Sequence, residues 1–385
     1  MLQQISQAHR NYIALWYVLQ HSLSSFYKLQ KHFPNIADAI APQAYGTWRQ
    51  LGIHKNHLQR FREFYNEQAQ QSFEHCLNSI QQHSDFIVCL EDTNYPQQLL
   101  PFVDRPPILF GQGNLDALNA AQIAVVGSRK PSPHGQQVAY DFAYYLADQG
   151  FYINSGLAQG IDHAAHRAAL SFGRTIAVMA TGLDQTYPSQ HQTLRQEIVQ
   201  EGGSIITEFL PYTPPLQHHF PRRNRIVSGL SLGVIVAEAS LKSGSLITAK
   251  AAAEQGKTVF AIPGHIYSEH HQGCHHLIRE GAILIDHPEQ VLEDLALATT
   301  WQIQQQPNKN TDISEAETNL DIPSHLHSVY ESLDWVGQSI DQLATHLNMN
   351  ITELTIQLME LELLGMTRQE AGLYLRCRNN EFGSQ

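Results

Sequence analysis

The densest chemistry in this chain is Phe220-Pro221-Arg222-Arg223-Asn224-Arg225-Ile226, three guanidinium groups within four residues beside an aromatic ring. Arginine forks bind phosphate oxygens in pairs and also stack on bases, so this stretch reads as a phosphate or nucleic-acid contact. A solvated charge run would mix Lys with Glu; this one is Arg only, in a chain with just 24 Lys and Arg among 385 residues. Gly127-Ser128-Arg129 follows an apolar run, where a strand handing over to a helix would aim backbone N–H groups and Arg129 at an anion. Ser155-Gly156-Leu157-Ala158-Gln159-Gly160-Ile161-Asp162 repeats that device and gives a second cradle. Glu238 to Ala249 gives a third, in which Lys242, Ser243, Ser245 and Thr248 could face a phosphate or cap the next helix.

Other combinations carry less. His163 and His166 read as core or surface histidines, since no carboxylate stands at metal spacing. His265, His270, His271, Cys274, His275 and His276 resemble a metal cluster, but in a chain with 22 histidines their spacing matches no zinc pattern. No metal and no cofactor is expected. Gly127-Ser-Arg-Lys-Pro is not G-x-G-x-x-G, and no acidic ribose ligand follows at the right distance, so a nicotinamide site is not expected either. Neither a Ser-His-Asp order nor a Walker loop can be assembled.

These groups need a scaffold, and the pattern between 121 and 295 supplies one. Continuous apolar runs alternate with helical patterns: Ile123–Val126, Phe151–Ile153, Ile176–Met179, Ser204–Ile206, Val234–Val236, Val259–Ala261 and Ile283–Ile285. Strands of this kind are buried on both faces of a parallel sheet, so the core is α/β, doubly wound and Rossmann-like. Phe86–Leu90 and Ile108–Phe110 precede it as further strands, placing the core at 85–298. Residues 1–80 read as a small helical module of SAM or helix-hairpin-helix type, with a turn at Leu51-Gly52-Ile53 that either packs or grips a phosphate. Residues 299–322, rich in Gln and Asn, read as a polar linker. Three helical patterns and a hairpin over 323–378 give the order of a winged helix.

The net charge of −12 excludes a generally polybasic binder. It is uneven, however: residues 301–385 hold −8 of it, which leaves the arginine pocket intact and sets the last domain against duplex reading. Four scattered cysteines suggest no disulfide framework, and no apolar run is long enough to span a membrane. A cytoplasmic protein without a membrane partner is expected.

The motifs together resemble the bacterial DNA-processing protein A (DprA, or Smf) family. Those carrying the resemblance are Val126-Gly-Ser-Arg129, Ser155-Gly-Leu-Ala-Gln-Gly-Ile-Asp162, Thr181-Gly-Leu-Asp-Gln-Thr-Tyr-Pro188, Phe220-Pro-Arg-Arg-Asn-Arg-Ile226, Ser243-Gly-Ser-Leu-Ile-Thr-Ala249 and Ile262-Pro-Gly264, in family order over about 105–295. The resemblance implies a non-enzymatic homodimer that binds single-stranded DNA and loads RecA onto it during natural transformation, with single-strand-binding protein as a further partner. It assigns Gly127, Ser128, Arg129, Gly160, Arg222, Arg223, Asn224 and Arg225 to the DNA pocket, with Lys242 and Thr248 beside them. The self-association surface falls at Leu277, Ile278 and Ile283. The competing reading is a Rossmann-like nucleoside-monophosphate phosphoribohydrolase; those enzymes carry a P-G-G-x-G-T-x-x-E loop, and the stretch here, Ser243-Gly-Ser-Leu-Ile-Thr, lacks its glutamate.

Overall fold

The computed structural model describes residues 2, 4–295, 323, 325–333, 338–364, 366–370 and 372–376. The chain divides into two compact units, 1–305 and 306–385. The linker expected at 299–322 lies outside the described residues.

The first unit opens with six helices: α1 (Gln7–Val18), α2 (Leu23–His32), α3 (Ile36–Ile40), α4 (Tyr45–Gln50), α5 (Lys55–Glu63) and α6 (Glu67–His83). Ser6, Ser22 and Asn35 cap α1, α2 and α3 through their side chains, which satisfies backbone donors the helices cannot pair. Trp16, Phe26, Trp48, Phe61 and Phe73 are fully buried. They form one apolar cluster with Ile108, Phe110, Met179 and Ile205 of the sheet, so the helical module is part of the same compact unit as the sheet. At the Leu51-Gly52-Ile53 turn, the N–H groups of Gly52 and Ile53 donate to Arg49 and Trp48 of α4. Those donors close the C-terminal end of α4.

The strands are β1 (Phe86–Cys89), β2 (Ile108–Gly113), β3 (Gln122–Gly127), β4 (Tyr152–Ser155), β5 (Thr175–Val178), β6 (Ser204–Thr207), β7 (Gly233–Glu238), β8 (Thr258–Ala261) and β9 (Ile283–Leu284). They form one sheet in the order β1-β2-β6-β5-β4-β3-β7-β8-β9. β1 and β2 are antiparallel additions, and every pairing from β6 to β9 is parallel. The mostly parallel, Rossmann-like α/β core expected from the apolar runs is therefore present. Helices α7 (Pro133–Asp148), α8 (Ile161–Leu170), α9 (Gln192–Gln200), α10 (His219–Leu230), α11 (Ser245–Glu254) and α12 (Gln272–Arg279) connect the strands. Two further apolar clusters cover the sheet, one from β3, β5 and β7 with α10 and α11, the other with α7 and α8. Chain order reverses at β3, which pairs with β4 on one side and β7 on the other, so a crevice opens beyond the carboxyl ends of β3 and β7. The register shifts there: Val126 faces Val236 but Gly127 faces Glu238, a bulge-like irregularity at the strand end.

In the second unit, helices His327–Ser332, Ile340–Leu347 and Ile351–Leu363 precede a hairpin of Thr367–Glu370 and Leu373–Arg376. The short strand Gln338–Ser339 pairs with the outer side of the hairpin. Leu326, Val329, Tyr330, Leu343, Leu354, Leu358, Leu361 and Tyr374 make its core. Ser339 and Gln342 close a reciprocal capping box at the second helix. This is the winged-helix arrangement.

Candidate nucleic-acid interface

The crevice at β3 is built by close approach. Gly127 lies against Ile161 and the Glu238 carbonyl, and Gly160, at φ +77, lies against the Ser128 carbonyl and Pro131. A Cβ at either position would collide with backbone or ring atoms, so both glycines are steric requirements of the loop. The loop is then tied down: the Ser128 N–H donates to the Glu238 carbonyl (2.7 Å) and the Ile161 N–H to the Ser128 carbonyl (3.1 Å).

Two of the three strand-end loops hold a carboxylate of the chain itself. Glu238, fully buried, accepts from the Ser132 N–H (3.1 Å to each oxygen) and the Ser132 hydroxyl (2.5 Å) at the start of α7. Asp162, also buried, accepts from the Gly156 N–H (3.0 Å) and the Ala158 N–H (3.4 Å). Burial pushes the Asp162 carboxyl above its ordinary range, against the pull of Arg223 and these N–H groups. These carboxylates tie down the loops that lead into α7 and α8. Around these loops stand the basic side chains of the motifs.

Those side chains divide sharply. Arg129 and Lys130 are exposed at the end of β3. The Arg129 guanidinium sits 5.2 Å from the centre of the Phe220 ring, and Phe220 lies 5.5 Å from the ring of Tyr187, which is 46% exposed and precedes a cis proline. This pairing of a cation with two aromatic rings opens to solvent at the crevice.

The arginine run, by contrast, is helical. It lies in the first two turns of α10, where Pro221 is tolerated because first-turn N–H groups need no partner. Arg222 and Arg225, three apart, share a face and converge on Glu208, fully buried just past β6. Arg222 meets it through two bonds of 2.9 Å and Arg225 through one of 2.8 Å. Burial alone would raise the Glu208 pKa, but Arg225 and Arg222 outweigh it and hold the carboxyl below its ordinary range. The Arg222 guanidinium also stacks over Trp16 and Phe209, with 24% of its side chain exposed. Beside it, burial and the Arg222 charge drive His21 down to about 3, so His21 stays neutral and its Nε2 accepts from the Leu210 N–H.

Arg223 points the other way, to the carboxyl ends of the central strands β4 and β5. It donates to the Gly156 carbonyl (2.5 Å) and to the Val178 carbonyl, capping β4 and β5, and burial lowers its pKa to about 10. Asn224 is half-buried and accepts from the Arg223 Nε.

The structure thus brings Gly127, Ser128, Arg129, Gly160 and Arg223 together, with Phe220 and Tyr187 beside them. Arg222 and Arg225 sit around Glu208 near the helical module. Lys242 is exposed after β7, and Thr248 is buried in α11. Leu277 and Ile278 of α12 and Ile283 of the edge strand β9 are half-buried, and Leu284 next to them is exposed.

The histidines are mostly structural. His166 is buried between the Leu157 N–H and the Thr175 hydroxyl, and burial drives it down to about 3. His271 is buried and His275 bonds the Gly264 carbonyl (3.0 Å). Among the described residues one set is close enough to hold a metal, His9, Cys89 and Asp92. There a single Asp92 oxygen already meets both the Cys89 N–H (2.7 Å) and His9 Nε2 (2.8 Å), which makes it the cap of a turn.

A mostly parallel, Rossmann-like sheet with an exposed cation beside two aromatic rings near its carboxyl ends defines the class: Rossmann-like α/β proteins, which bind ligands beyond the carboxyl ends of their strands. The chain belongs, within that class, to the DNA-processing protein A (DprA/Smf) family. Residues 86–296 match the model of DNA recombination-mediator protein A, and 315–372 match the DprA winged helix domain. Protein Smf of Escherichia coli is 38% identical over 361 residues, covering 93% of this chain and 94% of that one. DNA processing protein DprA of Streptococcus pneumoniae is 48% identical over 204 residues, 53% of this chain and 72% of that one. The crystal structure of the Streptococcus pneumoniae protein aligns with a TM-score of 0.64 at 36% identity, covering 76% of this chain and 99% of that chain. A structure of the Helicobacter pylori protein, described for its single-stranded DNA binding mode, aligns with a TM-score of 0.50 at 31% identity, over 55% of this chain and 96% of that chain.

The sequence alone assigned no role to Glu208, nor to Glu238 and Tyr187, which stand within the quoted motifs. Glu208 had one signal, a carboxylate directly after the apolar run Ser204–Thr207 and before Phe209, where an unpaired charge would be costly.

Proposed function

We propose that this chain binds single-stranded DNA across the crevice at β3 and passes it to RecA during natural transformation. The observation that carries the reading is the exposed Arg129 guanidinium over Phe220 with Tyr187 alongside. Single strands are held by backbone-tracking charge and by bases stacked on aromatic rings, a combination that tolerates any sequence. Family membership and the Helicobacter pylori relative support the same ligand. Gly127, Ser128 and Gly160 shape the loop carrying Arg129; Arg222, Arg223, Asn224 and Arg225 position α10 and with it Phe220; Lys242 extends the path over β7.

The protein acts as a homodimer through the edge strand β9 and α12, where Leu277, Ile278, Ile283 and the exposed Leu284 supply apolar surface. Two pockets on one strand gain affinity through effective concentration. RecA is the receiving partner, single-strand-binding protein a further one, and the role is binding rather than catalysis. Among the described residues no helix is long and apolar enough to cross a membrane, and the cytoplasm is the place of action we assign.

Fluorescence anisotropy of labelled single and double strands across a salt series tests the pocket, with wild type and Arg129→Ala. Preference for single strands, with a salt slope reduced in the variant, is the expected outcome. Unchanged binding by the variant would move the site elsewhere, and release of free base from nucleotides by wild type would favour the hydrolase reading.

A further inference from the structure

The helix Ile351–Leu363 of the winged-helix unit is apolar on two opposite sides. Leu354, Leu358 and Leu361 face the core. Ile356, Met359 and Leu363, spaced three and four apart on the opposite side, are 55%, 58% and 89% exposed. Scattered single apolar groups are usual on a surface, but a continuous outward stripe of three large exposed side chains marks an interaction surface. Its borders are acidic. Glu353 and Glu360 follow one edge of the stripe and Glu362 lies toward the other, and no Lys or Arg occurs between Asn350 and Met366. Glu353 and Glu362 are exposed, while Glu360 lies 2.8 Å from His325.

We propose that this stripe is a docking site for a protein partner presenting an amphipathic helix, its apolar residues three and four apart and bordered by Lys or Arg. Charge selects this occupant. In a winged helix this element is the one that enters a DNA groove, but carboxylates bordering its outer face repel phosphate and no basic group offsets them. A second copy of the same face would set glutamates against glutamates, which is unfavourable. A basic amphipathic helix satisfies both the apolar stripe and its acidic edges, in the helix-in-groove manner. The inference goes beyond the DNA pocket and does not rest on it.

The test uses the full chain and three labelled probes: a synthetic amphipathic peptide bordered by Arg, the same peptide bordered by Glu, and a DNA duplex. The variant carries Met359→Lys and Leu363→Lys, both at exposed positions, with circular dichroism to verify folding. We expect saturable, salt-sensitive anisotropy for the Arg-bordered peptide, weakened about tenfold or more in the variant, as loss of anchor side chains does. No binding of that peptide, or equal binding of the Glu-bordered one, overturns the proposal. So does duplex binding that the variant abolishes, which would make the stripe a groove reader. Sedimentation showing self-association of wild type that the variant removes would assign it to a second copy instead. Single-strand binding should be unchanged in the variant, so failure here and failure of the DNA pocket are separable.

Discussion

Arg129 and the arginines of α10 meet at the same end of the sheet but live in different environments. Arg129 is exposed, with an aromatic face as its neighbour. Arg222 and Arg225 share one fully buried carboxylate, and Arg223 is buried against strand-end carbonyls. The same residue type thus stands in two environments in one region: the paired guanidiniums are tied to an internal carboxylate, and the Arg129 guanidinium stays exposed. The difference teaches that a cluster of arginines in sequence measures the charge needed to balance Glu208 and the carbonyl edge as much as the charge offered outward.

The comparison breaks first at Glu208. Glu208→Gln leaves Arg222 without its counter-charge and Arg225 with only the half-exposed Asp104 at 3.6 Å, and removal of one partner of a buried pair costs about 3–5 kcal/mol. Denaturant unfolding should show that loss, and a midpoint equal to wild type would mean that the network is not structural. The pH dependence has a definite sign. Because the folded pKa of Glu208 lies below its unfolded value, its contribution is present above the unfolded carboxylate range, about 4.3, and fades as pH falls through the folded value. Stability of wild type should therefore decline on acidification below that range, and the Gln variant should show a flatter limb there.

Arg222→Lys comes next. Lysine keeps the charge but not the two-bond fork toward Glu208, so stability should fall by about 1.5–3 kcal/mol, the worth of a hydrogen bond to a charged group. Single-strand affinity per folded molecule should change little. Lowered affinity at unchanged stability would reverse the assignment and make Arg222 a ligand contact.

Arg129→Ala sharpens the other half. It should weaken single-strand binding by about 1–3 kcal/mol, in the range of a lost stacking or arginine contact. An exposed substitution of this kind leaves folding stability within about 0.5 kcal/mol. Anisotropy and unfolding on one preparation separate the two effects.

Much of this architecture was readable in advance, for a physical reason. Parallel strands buried on both faces must be continuous apolar runs, so β3, β7 and β8 stand out within a residue or two of their observed ends. The winged-helix order was legible because Leu343, Leu354, Leu358 and Leu361 keep helical spacing. Helix α10 was not, since Pro221 and the arginines hide its apolar face until Ile226, Val227 and Leu230. The glycine loops were correctly placed at strand ends but their occupants were hidden. Glu238 reaches Ser132 across 106 residues, a pairing no local pattern carries. Asp162 was closer to view, four and six residues from the N–H groups it accepts. Glu208 reaches Arg222 across 14 residues and Arg225 across 17, and only the juxtaposition of β6 with α10 reveals the bond.

The smallest effect is expected at Lys242, and it measures how far the exposed region extends. Lys242 follows β7, across the switch point from Arg129, and its side chain is exposed. If the strand runs from β3 over β7, Lys242 touches one phosphate, and Lys242→Ala lowers affinity less than Arg129→Ala while reducing the salt slope by about 1, uniformly across sequences. If the strand instead runs toward Tyr187 and β5, the slope stays at its wild-type value and Tyr187→Ala takes the loss. The two variants therefore assign the direction of the path, because charge neutralised on one side of the crevice cannot be released from the other.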